Sequence, residues 1–310
     1  MRFLPALPLL FVTAALYAAP EQPAAEKNPQ PSKAEIEAAM AEHAAAVLGS
    51  VKYKEGTAEL PGGMARLELP KGYRYLNGSD ARKVVVDLWG NPPDQGSDLL
   101  GMVVPAGEDL TKSDSWAIVI TFQEDGHVSD KDADEIDYSE LLSQLQEASS
   151  ESNKQRAAQG YETMNLKGWA VTPRYDKEQK VLYWAKQYDV PGSPDGTLNY
   201  DVRVLGRRGV LSLNGVAGMS RVKDVEAATP AIVAMARYND GHRYADFNSA
   251  TDKKADYSLA GLVLGGAVAA KLAGKVGLLA KLGAFWKVIL FGIVAAGAFV
   301  KKLFRGKSAA

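Results

Sequence analysis

Residues 198–217 read LNYDVRVLGRRGVLSLNGVA, and this stretch decides the fold. From Leu198 to Leu205 apolar and polar side chains alternate, as they do in a β-strand that buries one face. Gly206 and Gly209 then enclose two arginines, and a second apolar run follows from Val210. Two such runs joined by a short turn that contains glycine are typical of an antiparallel β-hairpin.

Other segments have the same strand-like composition, and the sequence predicts strands at 65–70, 73–76, 101–105, 116–122 and 180–190. Strands follow one another closely and helices come in blocks, which favours an α+β fold with a mainly antiparallel sheet and flanking helices. The strand groups at about 57–122 and 163–217 form either two sheets or two halves of one.

Capping residues indicate where the helices begin. Ser32 and Glu35 form a capping-box pattern that predicts a helix to about Leu48. Ser79 is the predicted cap of a second helix, and Thr229-Pro230 is predicted to begin a short helix that ends near Tyr238.

The string LWGNPPD (88–94) resembles a ligand loop, but we interpret it as the end of the second helix. Leu88 and Trp89 complete its apolar stripe, and Gly90 stands where a positive φ is expected just past a helix end. Asn91 precedes a proline and is therefore disfavoured in helical geometry.

Composition limits the class of protein and its chemistry. The 310 residues are 46% hydrophobic and 24% charged, enough for one large or two small globular domains. The chain has no cysteine, which excludes disulfides, thiolate metal sites and cysteine nucleophiles. Eight of the 36 basic residues and none of the 37 acidic residues follow Asp256, so residues 1–256 carry a net charge of −9. An acidic body joined to a basic, apolar tail is expected of a membrane-attached protein.

Both ends of the sequence are predicted to direct the chain to the membrane. Residues 1–19 have Arg2, an apolar run and small residues at the end, and are predicted to be a secretory signal peptide. The residue three positions before the cleavage site is usually small, but here it would be Leu16 or Tyr17. An uncleaved anchor is therefore the alternative. Residues 20–31 form a proline-rich linker. Residues 283–300 are apolar except for Lys287 and are predicted to span the bilayer, with a basic cytoplasmic tail at 301–310.

Residues 251–282 are predicted to contain an amphipathic helix that lies on the membrane near the span. Its alternative is a second span, which would place the basic tail outside. Small residues at every fourth position suggest a helix-packing face, formed by Gly261, Gly265, Ala269, Ala273 and Gly277. The predicted membrane-surface bases are Lys271, Lys275, Lys281, Lys301, Lys302, Arg305 and Lys307.

An acidic stretch between Asp130 and Asp137 has the strongest chemical character. Asp130, Asp132 and Asp134 alternate like the first ligands of a calcium loop, but Glu135 and Leu141 occupy the positions where glycine and glutamate are required. We therefore interpret Asp137 as the cap of a helix over about 138–159 and the other acids as its favourable neighbours. A metal site at Asp130, Asp132 and Asp134 remains the alternative.

Other candidate groups favour structural roles. His127 and His242 are predicted to lie in solvated turns. A surface patch of arginines could form from Arg203, Arg207, Arg208 and Arg221. The acidic body argues against binding of nucleic acid, which depends on neutralised phosphates. A small-ligand or lipid site could have walls from Trp116, Trp169 and Trp184, although such residues are more often core.

Several strings, taken together and in this order, resemble one family. They are LWGNPP, LLGMVVP, GHVSDKDADEID, LKGWAVTPRYD, VLYWA, LNYDVRVLGRRGVLSLNGVA and GHRYADFNSATDKKADYSLAGLVLGG. They are similar to bacterial membrane-anchored proteins of the family called domain of unknown function 2167, over residues 55–300. The resemblance implies a bacterial envelope protein and supplies no catalytic residue.

These observations predict an exported α+β domain over 32–250, possibly divided into sub-domains at about 50–130 and 160–245. We expect a non-catalytic interaction, scaffold or stress-related protein of the inner membrane, with its main domain outside the cytoplasm. No cofactor is expected, and the expected partners are the bilayer and a second copy or another membrane protein. The alternatives are an envelope hydrolase or calcium-dependent enzyme that uses the acids at 130–137, and a protein that binds a small ligand or lipid.

Overall fold

The computed structural model describes residues 32–112, 115–191 and 193–265. The predicted signal peptide, linker, transmembrane span and basic tail therefore lie outside the described residues. None of the helices in the described part of the chain is long and apolar enough to cross a membrane.

The described residues form five α-helices and twelve strands. The helices are α1 (Lys33–Gly49), α2 (Gly78–Arg82), α3 (Tyr138–Ala158), α4 (Val222–Met235) and α5 (Leu259–Leu264), and α2 continues as a π-helix over Lys83–Leu88. The strands are β1 (Thr57–Glu59), β2 (Ala65–Glu68), β3 (Tyr73–Asn77), β4 (Leu99–Pro105), β5 (Ala117–Gln123), β6 (His127–Ser129), β7 (Asn165–Asp176), β8 (Val181–Val190), β9 (Ser193–Leu205), β10 (Val210–Gly218), β11 (Ala236–Tyr238) and β12 (Lys254–Ser258).

A seven-stranded antiparallel sheet is the centre of the fold, in the order β3-β4-β5-β10-β9-β8-β7. The predicted hairpin is confirmed, with Leu205 opposite Val210 across the turn. The sequence left open whether the strand groups at about 57–122 and 163–217 form one sheet or two. β5 of the first group pairs with β10 of the second, so both groups contribute strands to the central sheet. A three-stranded sheet (β1-β2-β11) and a parallel pair (β6, β12) complete the α+β architecture.

The two faces of the central sheet have different covers. On one face Val202 and Leu213 share an apolar cluster with Val225 and Ile232 of α4 and with residues of β2. On the opposite face Leu182 and Trp184 pack with residues of α3 and α5. A third cluster covers β4 and β5 with the helical segment around Val84 and Val85.

The predicted helix starts at Ser32 and Asp137 are confirmed. Ser32 and Glu35 form the reciprocal capping box, and Asp137 Oδ1 accepts hydrogen bonds from the amides of Ser139 and Glu140 at 2.9 and 3.1 Å. Both caps depend on residues within one helical turn, which makes them visible in sequence.

Two predicted helix starts are wrong. The helix after β3 begins at Gly78, because Asn77 rather than Ser79 accepts the capping bond, from the amide of Asp80 at 3.0 Å. Thr229 and Pro230 lie inside α4, where the Thr229 hydroxyl donates to the carbonyl of Val225 at 3.1 Å. Tertiary packing of α4 on the sheet overrides the local start signal.

The helix end at LWGNPPD is confirmed. Gly90 has a φ of +71°, which a residue with a side chain rarely adopts. The amide of Trp89 donates to Val84 O at 2.9 Å, and the backbone and side-chain nitrogens of the buried Asn91 both donate to Val85 O. The indole N–H of Trp89 donates to Leu110 O at 3.0 Å, which fixes the helix end to the neighbouring loop.

Candidate functional site: an interlock between the acidic loop and the closing segment

Two distant parts of the chain meet beside the central sheet. We call residues 125–137 the acidic loop and residues 240–264 the closing segment. β6 of the acidic loop pairs in parallel with β12 of the closing segment, with His127 opposite Lys254 and Ser129 opposite Ser258. Local sequence patterns do not indicate this pairing, because more than a hundred residues separate the two strands.

Asp132 caps α5 from the acidic loop. Its Oδ2 accepts from the Ser258 hydroxyl at 2.5 Å and from the Ala260 amide at 3.1 Å, and its Oδ1 accepts from the Leu259 amide at 3.2 Å. Ser258, which precedes the helix, makes no side-chain cap of its own. A carboxylate at this position satisfies free amides of the first turn and favours the positive end of the helix.

Asp130 forms a second contact between the two parts. It accepts from the Tyr175 hydroxyl at 2.7 Å, from Lys180 Nζ at 2.8 Å and from the Tyr244 hydroxyl at 3.1 Å. Partial burial would raise the pKa of Asp130, but these three donors outweigh it and lower that pKa to about 2. The carboxylate is therefore ionised at neutral pH and acts as an acceptor.

His127 lies between two rings of the closing segment. Its ring stacks on Phe247 with centroids 3.9 Å apart and an interplanar angle of 15°, and it lies 4.2 Å from the Tyr244 ring. Burial lowers the pKa of His127, which favours the neutral imidazole. The prediction of a solvated turn is wrong here, because the aromatic partners come from a segment more than a hundred residues later.

The turn between β9 and β10 also contacts the closing segment, through an ion pair between Arg207 and Asp252, and we include this pair in the interlock. Arg207 Nε and a terminal nitrogen donate to the two carboxylate oxygens of Asp252 at 2.7 and 2.9 Å, a bidentate geometry. The hydrogen bond from Arg207, with that from the Asn248 amide, lowers the pKa of Asp252. The Tyr257 hydroxyl also donates to Asp125 at 2.7 Å.

The carboxylates of the acidic loop are thus bound to separate protein groups. Asp134, the third residue of the alternative metal site, pairs with Lys177 at 2.6 Å. Within the described ranges, no three His, Asp or Glu side chains are grouped so that they could hold a metal ion. The cap at Asp137 follows the sequence prediction, whereas the contacts of Asp130 and Asp132 with the closing segment were missed.

The arginines of the predicted surface patch have different environments. Arg203 is buried and bonded to Asp201, which corrects its placement on the surface. Arg207 belongs to the interlock, Arg208 is exposed, and Arg221 pairs with Glu108 and Asp224. They therefore do not form one basic surface.

A small cleft lies beside β11, an edge strand of the three-stranded sheet. Its volume is about 220 Å³, and it is lined by Gly62, Met64, Phe122, Glu124, Arg208, Tyr238 and His242. None of the three candidate tryptophans lines it: Trp116 and Trp184 are buried in apolar clusters, and the Trp169 indole donates to Tyr138 O at 3.0 Å.

The predicted helix-packing residues are only partly within the described chain. Gly261 is buried in α5, and Gly265 ends that helix in the left-handed conformation with a φ of +87°. Ala269, Ala273 and Gly277 lie outside the described residues, as do all seven predicted membrane-surface bases. The packing role stays a prediction.

The interlock falls within a recognised family region. A family model described as "Protein of unknown function (DUF2167)" matches residues 52–298. The chain belongs to this family. The match includes both the acidic loop and the closing segment, and it confirms the resemblance found in the sequence.

Other comparisons give distant likenesses. No curated protein matches the chain. Among solved structures, the cyanobacterial PsbP protein (CyanoP) of Synechocystis sp. PCC 6803 is 10% identical with a TM-score of 0.32, covering 61% of this chain and 93% of its own. The Ran-binding protein Mog1p of Saccharomyces cerevisiae is 10% identical with a TM-score of 0.31, covering 64% and 100%.

Proposed function

We propose that the protein is a non-catalytic, membrane-anchored scaffold of the bacterial envelope, with its folded domain outside the cytoplasm. In this proposal the interlock fixes the orientation of the domain relative to the membrane. The C-terminal segment anchors the chain, and the central sheet with its helices presents a surface to partners.

The cap that Asp132 provides to α5 is the observation that carries the proposal. α5 ends at Leu264, and the predicted span at 283–300 and the basic tail come later in the same C-terminal part of the sequence. A domain on a loose tether would need no contacts at this point. Here a cap, a bidentate ion pair and a stacked histidine hold the last described residues against the body.

The contacts of the interlock support a structural rather than a catalytic role. Asp130 is ionised and accepts three hydrogen bonds, His127 is enclosed by two rings, and the hydroxyl of Tyr244 is committed to Asp130 and Val128 O. A general acid or base needs a lone pair or proton that faces a substrate. Asp130 and Tyr244 instead bind one another, and the stacked His127 makes no hydrogen bond through its buried Nδ1 to the described residues.

The absence of cysteine gives a direct test of the topology, because any introduced cysteine is unique. Ser150→Cys places a thiol on the exposed surface of α3, and Ser308→Cys places one in the predicted cytoplasmic tail. A membrane-impermeant maleimide is applied to intact spheroplasts of cells that make each full-length variant. We expect labelling of Ser150→Cys only, and labelling of both after lysis.

Three outcomes would refute the proposal. Labelling of Ser308→Cys in intact spheroplasts would place the tail outside, and protection of Ser150→Cys would place the domain inside. Release of the wild-type chain from membranes by alkaline carbonate would exclude an integral anchor. A chain shortened to end at Gly265 is the matched control, since we expect it to leave the membrane fraction.

A further inference from the structure

A buried ion cluster on the central sheet has one more positive than negative charge. It consists of Lys186 on β8 with Asp201 and Arg203 on β9, whose side chains are only 5%, 1% and 4% exposed. The three residues lie on the same face of the sheet as Leu182 and Trp184, which pack with residues of α3 and α5. A buried charge without a counter-charge is costly, so an unbalanced cluster needs an explanation.

The single carboxylate of the cluster accepts its hydrogen bonds through Oδ1, whereas Oδ2 has an ion pair with Lys186 but no hydrogen bond from the described residues. Asp201 Oδ1 accepts from Arg203 at 2.7 Å and from the side-chain amide of Asn214 at 2.9 Å, and Lys186 Nζ lies 3.1 Å from Oδ2. Burial alone would raise the pKa of Asp201, but the two cations outweigh it and hold that pKa below its usual range. Asp201 therefore balances one of its neighbours and leaves the other charge unmatched.

Two buried N–H donors beside the cluster have no acceptor in the part of the chain that the structure describes. They are Trp184 Nε1 and Arg203 Nε. The Trp184 ring centroid lies 5.4 Å from the guanidinium carbon of Arg203 and 5.8 Å from Lys186 Nζ, so both cations lie over the same indole. Buried donors in native proteins are almost always paired with protein, water or an ion.

We propose that Lys186, Arg203 and Trp184 bind a small anion of single charge, of the size of chloride or formate. One such anion neutralises the cluster and accepts from the free donors. A neutral water would satisfy a donor but would leave the extra charge. A larger ligand would need an exposed entrance, whereas every side chain of the cluster is buried. Water beside the anion would serve Asn214 Oδ1 and Asp201 Oδ2, two buried acceptors without a hydrogen-bond partner among the described residues.

The test measures thermal unfolding of the full-length protein in detergent, at constant ionic strength, with chloride, bromide or formate replacing the bulky anion gluconate. We expect a saturable rise of the unfolding midpoint by about 3 °C or more for a ligand that binds only the folded state. Arg203→Met should abolish the rise, since Lys186 and Asp201 are then balanced. Arg237→Met, which removes an exposed arginine, should keep it.

A second variant tests the proposal independently of whether Arg203→Met folds. Trp184→Phe retains all three charges but lacks one free donor, and we expect saturation at a concentration about tenfold higher than for the wild type. A wild-type midpoint that does not respond to small anions would overturn the proposal. An equal rise in wild type and Arg203→Met would do the same, because it would show a general salt effect.

Discussion

Asp132 accepts a hydrogen bond from the amide of Leu259, although 127 residues separate them in the chain. Most helix caps come from the residue just before the helix, where a side chain reaches the first amides without tertiary structure. In this protein the cap depends on the acidic loop being in place. The start of α5 is therefore coupled to the fold of the body.

Replacement of Asp132 by alanine should destabilise the closing segment. Loss of a capping side chain costs about 1 to 2 kcal/mol in comparable positions. We expect faster amide exchange at residues 254–264 and a lower urea midpoint for full-length protein in detergent. Asp132→Asn should retain most of the stability, because its amide oxygen also caps.

Asp134 provides the matched control for that change. It is exposed, belongs to the same acidic loop and makes one surface ion pair with Lys177, which contributes little to stability. Asp134→Ala should leave exchange at 254–264 unchanged. If both alanine variants behave alike, the cap at α5 has no special role.

The pH dependence of stability should report Asp130. Its pKa is lowered from 3.8 to about 2 in the folded protein, so its contribution is fully present above the unfolded value and is lost as pH falls. A shift of this size corresponds to roughly 2 kcal/mol. We expect the wild type to lose this amount between about pH 5 and pH 2 relative to Asp130→Asn.

Urea unfolding at a series of pH values measures this difference. Asp201 and Asp252 also have lowered pKa values, so both proteins should lose some stability in acid. The comparison therefore depends on the difference in slope. Parallel curves for wild type and Asp130→Asn would show that the contacts with Tyr175, Lys180 and Tyr244 do not stabilise the folded state.

Gly90 should be sensitive to any side chain, including the smallest. Its φ of +71° is unfavourable for other residues, and Gly90→Ala should lower the free energy of unfolding by about 1 kcal/mol. Gly49→Ala is the control, since Gly49 has no atom near its Cβ position and no positive φ. Equal stabilities of the two variants in urea would contradict this account of the helix end.

Local signals account for what could be predicted from the sequence. The β9–β10 hairpin was predictable because its turn and alternating strands lie within twenty residues, and Gly90 was predictable because proline and glycine restrict the backbone directly. The caps at Ser32 and Asp137 depend on contacts within one turn. These features need no knowledge of distant parts of the chain.

The site depended on distant contacts and was therefore missed. The alternation in β9 suggests a polar face in water, yet Asp201 and Arg203 are buried. The spacing of Asp130 and Asp132 suggested a metal or a helix neighbour, whereas their partners Tyr244 and Leu259 follow more than a hundred residues later. Composition and periodicity do not specify which distant segment covers a given face.

The excess positive charge of the ion cluster predicts that Asp201→Asn destabilises the protein more than Lys186→Met. Asp201→Asn leaves Lys186 and Arg203 buried without a counter-charge and should destabilise the protein by about 3 to 5 kcal/mol. Lys186→Met leaves the neutral pair of Arg203 and Asp201, and its apolar side chain suits the buried site, so its cost should be much smaller. Urea unfolding of both full-length variants in detergent measures the difference. A larger loss for Lys186→Met than for Asp201→Asn would show that the cluster is not governed by its excess positive charge.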